Sequence, residues 1–302
     1  MIISASYKTD IPAFYGRWLL NRLQVGFCRM VNPYGGQVVT VDLSPTAIDG
    51  LVLWTRNLGP FLDGLEVIAQ RGLPFFVQYT VTGYPRALET STIEIDRAAD
   101  HFHHLRRRFG LRAAVWRYDP IVLTSLTPPD WHLANFTTLA KTLAGTSDEV
   151  VVSFLQPYRK TRRNLDAAAH AGNFSWREPE VAEKRHLLAA LATIAADHGQ
   201  RLTLCTQPAL TDVPGTTPAR CVDAVRLSDV AGRLLPARVT RIKGNRPGCL
   251  CVESRDIGAY ESCPHGCNYC YAVSSRAVVR QRRLAHDPEG EFLITPDPFH
   301  PK

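Results

Sequence analysis

The residues best suited to chemistry are cysteines near the C-terminal end of the chain. The sequence has 302 residues and eight cysteines, five of which lie close together. Cys263, Cys267 and Cys270 form a C-x-x-x-C-x-x-C spacing in "CPHGCNYCYA", and Cys249 and Cys251 precede them as C-x-C. Thiolates are soft ligands for zinc, iron–sulfur clusters or copper(I). Structural zinc commonly uses two separated C-x-x-C pairs, which this spacing fits poorly. Three cysteines on one tight loop favour a [4Fe–4S] cluster with its fourth iron open to an exogenous ligand.

The spacing also resembles a known signature. "CPHGCNYCYA" is similar to the C-x-x-x-C-x-aromatic-C motif of the radical SAM superfamily. In that superfamily the three cysteines bind a [4Fe–4S] cluster, and the open iron chelates the amino and carboxylate groups of S-adenosylmethionine. One-electron reduction then cleaves the sulfonium to methionine and a 5′-deoxyadenosyl radical. The resemblance implies Cys263, Cys267 and Cys270 as cluster ligands and Tyr269 as a residue near the adenine or the cluster. It also implies a one-electron donor such as a ferredoxin or flavodoxin as partner.

A second resemblance covers nearly the whole chain. The stretches "IISASYKTDIPAFY", "WTRN", "QYTVTGY", "WRYDP" and "CVESRDIGAYESCPHGCNYCYA" resemble a bacterial family known only as a domain of unknown function. This resemblance implies a single domain over 1–302, with repeats over 1–245 and a cysteine-rich loop and tail over 246–302. It implies no substrate, so small molecules, peptides and nucleic acids all stay open.

The elements that position these cysteines alternate along the chain. Apolar runs predict six strands, over 1–6, 50–55, 74–82, 112–123, 149–155 and 201–207. Helical patterns lie between them, the first over 13–24, and "GGQVVTVDL" predicts a hairpin. Near-continuous apolar strands joined by helices are typical of a parallel sheet. We therefore expect an α/β fold, a full or partial TIM-type barrel of about six or more parallel strands followed by the cysteine loop, with an open doubly wound sheet as the alternative.

Polar and aromatic residues follow the predicted strands, at the edge where parallel α/β folds place their sites. Arg56, Arg117 and Asp119 are candidate catalytic residues that would anchor a substrate or the polar groups of S-adenosylmethionine. Tyr79 and Trp116 are candidate aromatic walls for the cofactor. The superfamily places its motif after the first strand, whereas here the motif follows the repeats. Because the chain ends of a barrel lie close together, a C-terminal loop can reach the same edge.

The remaining polar and thiol residues have simpler interpretations. Asp10 is predicted to cap the first helix, and His265 is interpreted as an ordinary loop residue. Cys28, Cys205 and Cys221 stand in apolar contexts and are predicted to be buried small hydrophobic residues. For Cys249 and Cys251 we expect a supporting role.

Charge and composition leave two other function classes open. The net charge of +7 rests on basic clusters at Arg106–Arg108, Arg159–Arg163 and Arg276–Arg283. We interpret these as solvated helix faces and helix C-termini, with phosphate or nucleic-acid contact as the alternative. A zinc-stabilised nucleic-acid-binding protein and an iron–sulfur carrier or sensor without SAM cleavage therefore remain alternatives. No apolar run approaches the roughly 18–20 residues of a membrane span, and the start lacks the pattern of a signal peptide. We expect a cytoplasmic protein with no membrane partner.

Overall fold

A computed structural model describes residues 1–33 and 35–296, so Tyr34 and the last six residues of the predicted tail, 297–302, lie outside the described residues. The strands are β1 (Ile2–Ala5), β2 (Phe27–Val31), β3 (Val38–Asp42), β4 (Gly50–Thr55), β5 (Phe75–Thr80), β6 (Ala114–Ile121), β7 (Leu123–Thr124), β8 (Glu149–Phe154), β9 (Trp176–Arg177), β10 (Arg201–Leu204), β11 (Thr216–Pro218) and β12 (Ser254–Asp256). The helices are α1 (Ile11–Phe14), α2 (Gly16–Val25), α3 (Leu62–Gln70), α4 (Ile95–Phe109), α5 (Pro129–Thr142), α6 (Arg159–Gly172), α7 (Val181–Asp197), α8 (Ala224–Ala231) and α9 (Arg276–Leu284). None of the described helices is long and apolar enough to cross a membrane.

Eight strands form one parallel sheet in the order β11-β10-β8-β6-β5-β4-β1-β12. From β1 to β11 the neighbours follow chain order, and β12 is added on the other side of β1. This order lacks the central reversal of a doubly wound sheet. The strands β11 and β12 are the two edges of the sheet, and no pairing closes it in the described part of the chain. The fold is therefore an α/β fold with a large parallel sheet surrounded by helices.

The two faces of the sheet are covered differently. In β5, Phe75, Val77 and Tyr79 belong to a core shared with helices α1–α5 and α7, whereas Phe76 belongs to a second core on the opposite face. Successive strand residues point to opposite faces, which explains the alternation. The second core is closed by α8 and by the segments over 219–222 and 249–252. Of the residues after β11, those over 219–252 in this core cover the face opposite the crossover helices, whereas Ile257 and Leu293 belong to the first core.

Several predicted elements are confirmed and others differ. The hairpin is present as the antiparallel pair β2–β3. The single helix predicted over 13–24 is two helices that meet at Tyr15 and Gly16. Phe61 packs so closely on Gly16 that a Cβ there would lie 2.4 Å from the ring. Arg159–Arg163 opens helix α6, and its basic side chains are exposed, so of the two interpretations offered for the basic clusters this one is a solvated helix face rather than a helix C-terminus.

Candidate functional site

The cysteine loop starts beside the first strand of the sheet. Strand β12 pairs with β1 in parallel register, from Ile2 with Ser254 to Ser4 with Asp256. The buried Asp256 carboxylate accepts hydrogen bonds from the hydroxyls of Ser4 at 2.9 Å and Ser6 at 2.8 Å. These bonds join the two ends of the chain, as expected for a C-terminal loop that reaches the first strand. The loop therefore leaves the sheet at the carboxyl end of β1.

Asp10, just after β1, holds the cysteine loop through a histidine. Its Oδ1 accepts from the Ala13 backbone at 2.9 Å and caps α1, which confirms the predicted cap. Its Oδ2 accepts from the Arg56 backbone N–H and from Nε2 of His265, each at 2.7 Å. His265 is buried, and its Nδ1 has no partner within the described residues. The cap interpretation of Asp10 was thus correct but incomplete, and His265 is more than an ordinary loop residue.

A buried carboxylate, Glu89, holds the other end of the loop. Its Oε1 accepts from Nη1 of Arg56 at 2.8 Å, from the Thr82 hydroxyl at 2.5 Å and from the hydroxyl of Tyr269. Arg56 also donates through Nη2 to the Tyr269 hydroxyl at 2.6 Å. The ring of Tyr269 packs edge-on against Tyr84, with centroids 5.8 Å apart. The structure therefore brings the predicted residues Arg56 and Tyr269 together at the cysteine loop.

Burial raises the pKa values of the three loop thiols and is the largest cause for each. The pKa of Cys263 lies well above its usual range because the charges of Asp10, Cys270 and Cys267 add to burial. The pKa of Cys267 rises to about 12, although Arg56 acts in the opposite direction. The Ala272 N–H donates to Cys270 Sγ at 3.3 Å. All three cysteines are only partly buried. A bound metal would reverse the pKa shifts, because it stabilises the thiolates.

The turn inside the loop requires a glycine. Gly266 has a φ of +70°, and a Cβ at this position would lie 2.1 Å from the Thr90 hydroxyl. The backbone N–H of Ser91 donates to the His265 carbonyl at 3.1 Å, and the N–H of Asn268 donates to the Leu88 carbonyl at 2.9 Å. The loop is thus docked along residues 88–91. This close approach explains why a glycine, Gly266, directly precedes the second cysteine of the motif.

Basic residues from two helices bind the loop and its flanks. From α6, Lys160 pairs with Glu261 at 3.0 Å, and Arg163 donates to the Ser274 carbonyl at 2.8 Å. From α9, Arg276 donates to Asn268 Oδ1 at 2.7 Å and to the Gly266 carbonyl at 3.1 Å, and Arg282 donates to the Tyr260 carbonyl at 2.8 Å. Part of two basic clusters is therefore engaged in holding the cysteine segment.

Arg117 and Asp119 lie together, but in a different group from Arg56. They form an ion pair whose two side chains are 7% and 16% exposed. Arg117 also donates to Gln78 Oε1 at 3.1 Å and stacks on Trp54 at 5.0 Å. Its other contact is with Cys221 Sγ at 3.2 Å. The pair thus faces the second core, on the side of the sheet away from the crossover helices.

Tyr271 directly follows Cys270 in the chain and responds to the charges of both groups. It is 43% exposed, and its hydroxyl donates to the Tyr7 carbonyl. Partial burial raises the pKa of this hydroxyl, the charges of Cys270 and Asp256 raise it further, and Arg117 lowers it. The loop cysteines and Arg117 therefore influence the same hydroxyl.

The structure does not bring Tyr79 and Trp116 to the loop. Both rings are fully buried on the face covered by the crossover helices. Tyr79 stacks on Phe102 at 4.9 Å, and Trp116 stacks on Phe136 at 4.8 Å. The assignment of these two residues as cofactor walls is therefore corrected, because alternation along β5 and β6 turns them away from the second core.

The sequence reasoning missed Glu89 and Asp256 and underrated His265. Asp256 had a recognisable signal, since it is a charged residue at the end of a short strand pattern in "CVESRDIG". Glu89 had none, because it lies in a loop far from the cysteines in sequence and contacts them only through the fold.

The arrangement of the side-chain donors bears on the kind of metal centre that the loop could hold. Within residues 1–33 and 35–296, no group of three or more His, Cys, Asp or Glu side chains is arranged to hold a single metal ion. A [4Fe–4S] cluster places each cysteine on a different iron, so its ligands need not converge on one point. Three coupled thiols and an unpartnered buried imidazole nitrogen fit such a cluster.

Comparison with known proteins identifies one family. A search of curated proteins finds no match. The family model described as a domain of unknown function, DUF1848, matches residues 2–272, a span that contains the sheet and all three loop cysteines. The chain therefore belongs to the DUF1848 family.

Proposed function

We propose that this protein is a radical SAM-type enzyme whose [4Fe–4S] cluster is held by Cys263, Cys267 and Cys270. The observation that carries the proposal is the environment of the loop. Three thiols close enough to perturb one another lie on one turn, beside a buried imidazole with an open nitrogen. A disulfide would satisfy only two of the three sulfurs, and all three are free thiols.

We also propose that the sheet forms a partial TIM-type barrel. The sequential strand order supports a barrel opened between β11 and β12. In such a barrel, functional residues gather where the strands end, and the loop leaves from the carboxyl end of β12 beside β1. The late position of the motif in the chain is thus compatible with a cluster at the mouth of a partial barrel.

When bound, the cluster would supply the electron that cleaves S-adenosylmethionine, and an external donor such as a ferredoxin or flavodoxin would replenish it. Residues around the loop orient its histidine and stabilise its thiolates. Asp10 fixes the ring of His265 through Nε2, so Nδ1 is the imidazole atom left for a ligand. Arg56 keeps a positive charge near Cys267 and lowers the cost of its thiolate form.

Substrate contacts are proposed for the second polar group. Arg117 and Asp119 offer a guanidinium and a carboxylate on the face opposite the crossover helices. Both charges suit an anchor for the polar end of a substrate or for the amino and carboxylate groups of S-adenosylmethionine.

The test is anaerobic purification followed by iron, sulfide and visible-spectrum analysis, and then addition of S-adenosylmethionine and dithionite. We expect about four irons and four sulfides per chain and the release of 5′-deoxyadenosine. Replacing Cys263, Cys267 or Cys270 by Ala should abolish both. Cys28→Ala is the matched control, because Cys28 is a buried thiol in β2.

Two outcomes would separate the alternatives. Cluster retention without 5′-deoxyadenosine would indicate an iron–sulfur carrier or sensor and refute the enzyme. Loop cysteines that bind stoichiometric zinc, with no labile sulfide, would refute the cluster and favour the zinc-stabilised alternative.

A further inference from the structure

Four cysteines outside the loop meet in the second core. Cys205 follows β10, Cys221 follows β11, and Cys249 and Cys251 form the C-x-C segment before β12. Cys221 Sγ lies 3.6 Å from Cys205 Sγ. Thiol hydrogen bonds connect Cys221 to Cys251 and Cys251 to Cys249. Three separate chain segments therefore bring four sulfurs into one contiguous group.

We propose that Cys205, Cys221, Cys249 and Cys251 form a second metal site that takes one thiophilic divalent ion, Zn²⁺, with four sulfur ligands. This site is independent of the cluster proposed for the loop. Its role is to tie the segment over 244–252 to the ends of β10 and β11.

The sulfur spacing suits one ion. A tetrahedral zinc with Zn–S bonds of about 2.3 Å has sulfurs about 3.8 Å apart. The 3.6 Å between Cys205 and Cys221 is close to that value, and it is far too long for a disulfide bond of about 2.05 Å. As they stand, the four sulfurs follow one another in a row. In the described part of the chain they do not yet surround a common point, so side-chain rotation accompanies loading.

N–H groups are directed at the sulfurs, as thiolates require. The Val222 N–H donates to Cys251 Sγ at 3.3 Å. The backbone N–H groups of Cys251 and Asn245 both donate to Cys249 Sγ. Buried cysteines that serve only as small hydrophobic residues have no need of such donors.

Two arginines supply the charge that such a site needs. Arg117 Nη1 lies 3.2 Å from Cys221 Sγ, and Arg246 Nη2 lies 3.9 Å from Cys205 Sγ. Four thiolates around one divalent ion carry a charge of about −2. Two guanidinium groups at the sulfurs offset that charge, although Arg117 is shared with Asp119. A neutral thiol would do little to offset the cost of burying a charged guanidinium.

The backbone leaves room for the site. A Cβ on Gly244 would lie 2.3 Å from the Cβ and 2.7 Å from the Sγ of Cys249. The Lys243 N–H donates to the Cys251 carbonyl at 3.0 Å, and the Cys249 N–H donates to the Arg246 carbonyl at 3.1 Å. The loop therefore folds tightly around Cys249, as a short metal-binding turn does.

The test measures metal on the full chain. Wild-type protein purified without added iron is expected to contain about one zinc per chain, and X-ray absorption at the zinc edge is expected to show four sulfurs at about 2.3 Å. Cys221→Ser and Cys249→Ser should each lower the zinc content at least fivefold. Cys28→Ser, which changes a buried cysteine outside the group, should retain it. The triple variant of Cys263, Cys267 and Cys270 to Ala should also retain it, so failure of the loop cluster is measured separately.

Three results would overturn the proposal. The first is wild-type protein with no zinc and all four thiols free. The second is zinc with nitrogen or oxygen ligands only. The third is iron with labile sulfide that survives in the loop triple variant, since this would assign a second cluster rather than one ion. The absorption measurement uses the wild-type chain, so a variant that fails to fold does not decide the outcome.

Discussion

The ion pair behind the cysteine loop should control the stability of the fold around it. Glu89 and Arg56 are 3% and 13% exposed, and Glu89 also accepts from Thr82 and Tyr269. The substitution Glu89→Gln keeps the shape of the side chain but removes its charge. It leaves the Arg56 guanidinium buried without a counter-ion, and the neutral amide oxygen is a weaker acceptor than the carboxylate Oε1 that three donors share.

The expected loss follows from the burial. Removing one partner of a buried, hydrogen-bonded ion pair costs about 3–5 kcal/mol. A loss of about 3 kcal/mol corresponds to a roughly hundredfold change in the folding equilibrium. With a urea slope near 3 kcal/mol/M for a chain of this size, the unfolding midpoint should fall by about 1 M.

A neighbouring exposed pair provides the matched control. Arg86 and Glu94 pair through the same groups, but their side chains are 54% and 76% exposed. Glu94→Gln should therefore cost less than about 1 kcal/mol. Urea unfolding followed by tryptophan fluorescence measures both variants. If Glu89→Gln shifts the midpoint no more than Glu94→Gln, the Arg56–Glu89 pair is not a buried anchor and the reasoning from burial fails.

Two further predictions concern the loop turn and a buried histidine. Gly266→Ala should reduce iron retention by at least tenfold, because the new Cβ would lie 2.1 Å from the Thr90 hydroxyl at a φ of +70°. The control is Gly72→Ala, which has a similar φ of +68° but no atom within 4 Å of the new Cβ. Equal losses of iron in the two variants would argue against the steric explanation. Burial lowers the pKa of His132 to about 4, so the folded state holds a neutral ring while the unfolded state takes up a proton below about pH 6.5. The contribution of this ring to the free energy of unfolding is complete above that pH and is lost as the pH falls towards 4. The free energy of unfolding should therefore fall by roughly 2 kcal/mol between pH 7 and pH 5. Urea titrations of the wild type and His132→Gln at both pH values measure the difference, and equal pH dependence in the two proteins would contradict the assignment.

The sequence pattern was sufficient for the local elements. The six predicted strands correspond to β1, β4, β5, β6, β8 and β10 of the sheet, because near-continuous apolar runs between helical patterns are a strong local signal. The strands β11 and β12 have three residues each, and β11 lies in a segment rich in Pro, Gly and Arg that gives no strand signal. The helix α6 was missed for a related reason, since its first turn is entirely polar.

The site was predictable only where its residues carry a motif. Cys263, Cys267 and Cys270 were predicted as ligands from their spacing and from the resemblance that this spacing carries. The contacts of Arg56 with Tyr269 join residues 213 positions apart, and no local pattern encodes such a pairing. Tyr79 and Trp116 were misplaced because residues at the end of a strand can face either side of the sheet, and the sequence does not say which side holds the site.

The two sets of cysteines are linked through Arg117 and Tyr271. Cys221 touches Arg117, Arg117 acts on the Tyr271 hydroxyl, and Tyr271 directly follows Cys270. A metal ion on the four-cysteine group would draw negative charge to Arg117 and weaken its hold on Asp119. The orientation of Asp119, the proposed substrate anchor, would then depend on a metal that never touches the substrate. The second site would thereby affect the proposed substrate anchor without taking part in the chemistry proposed for the loop.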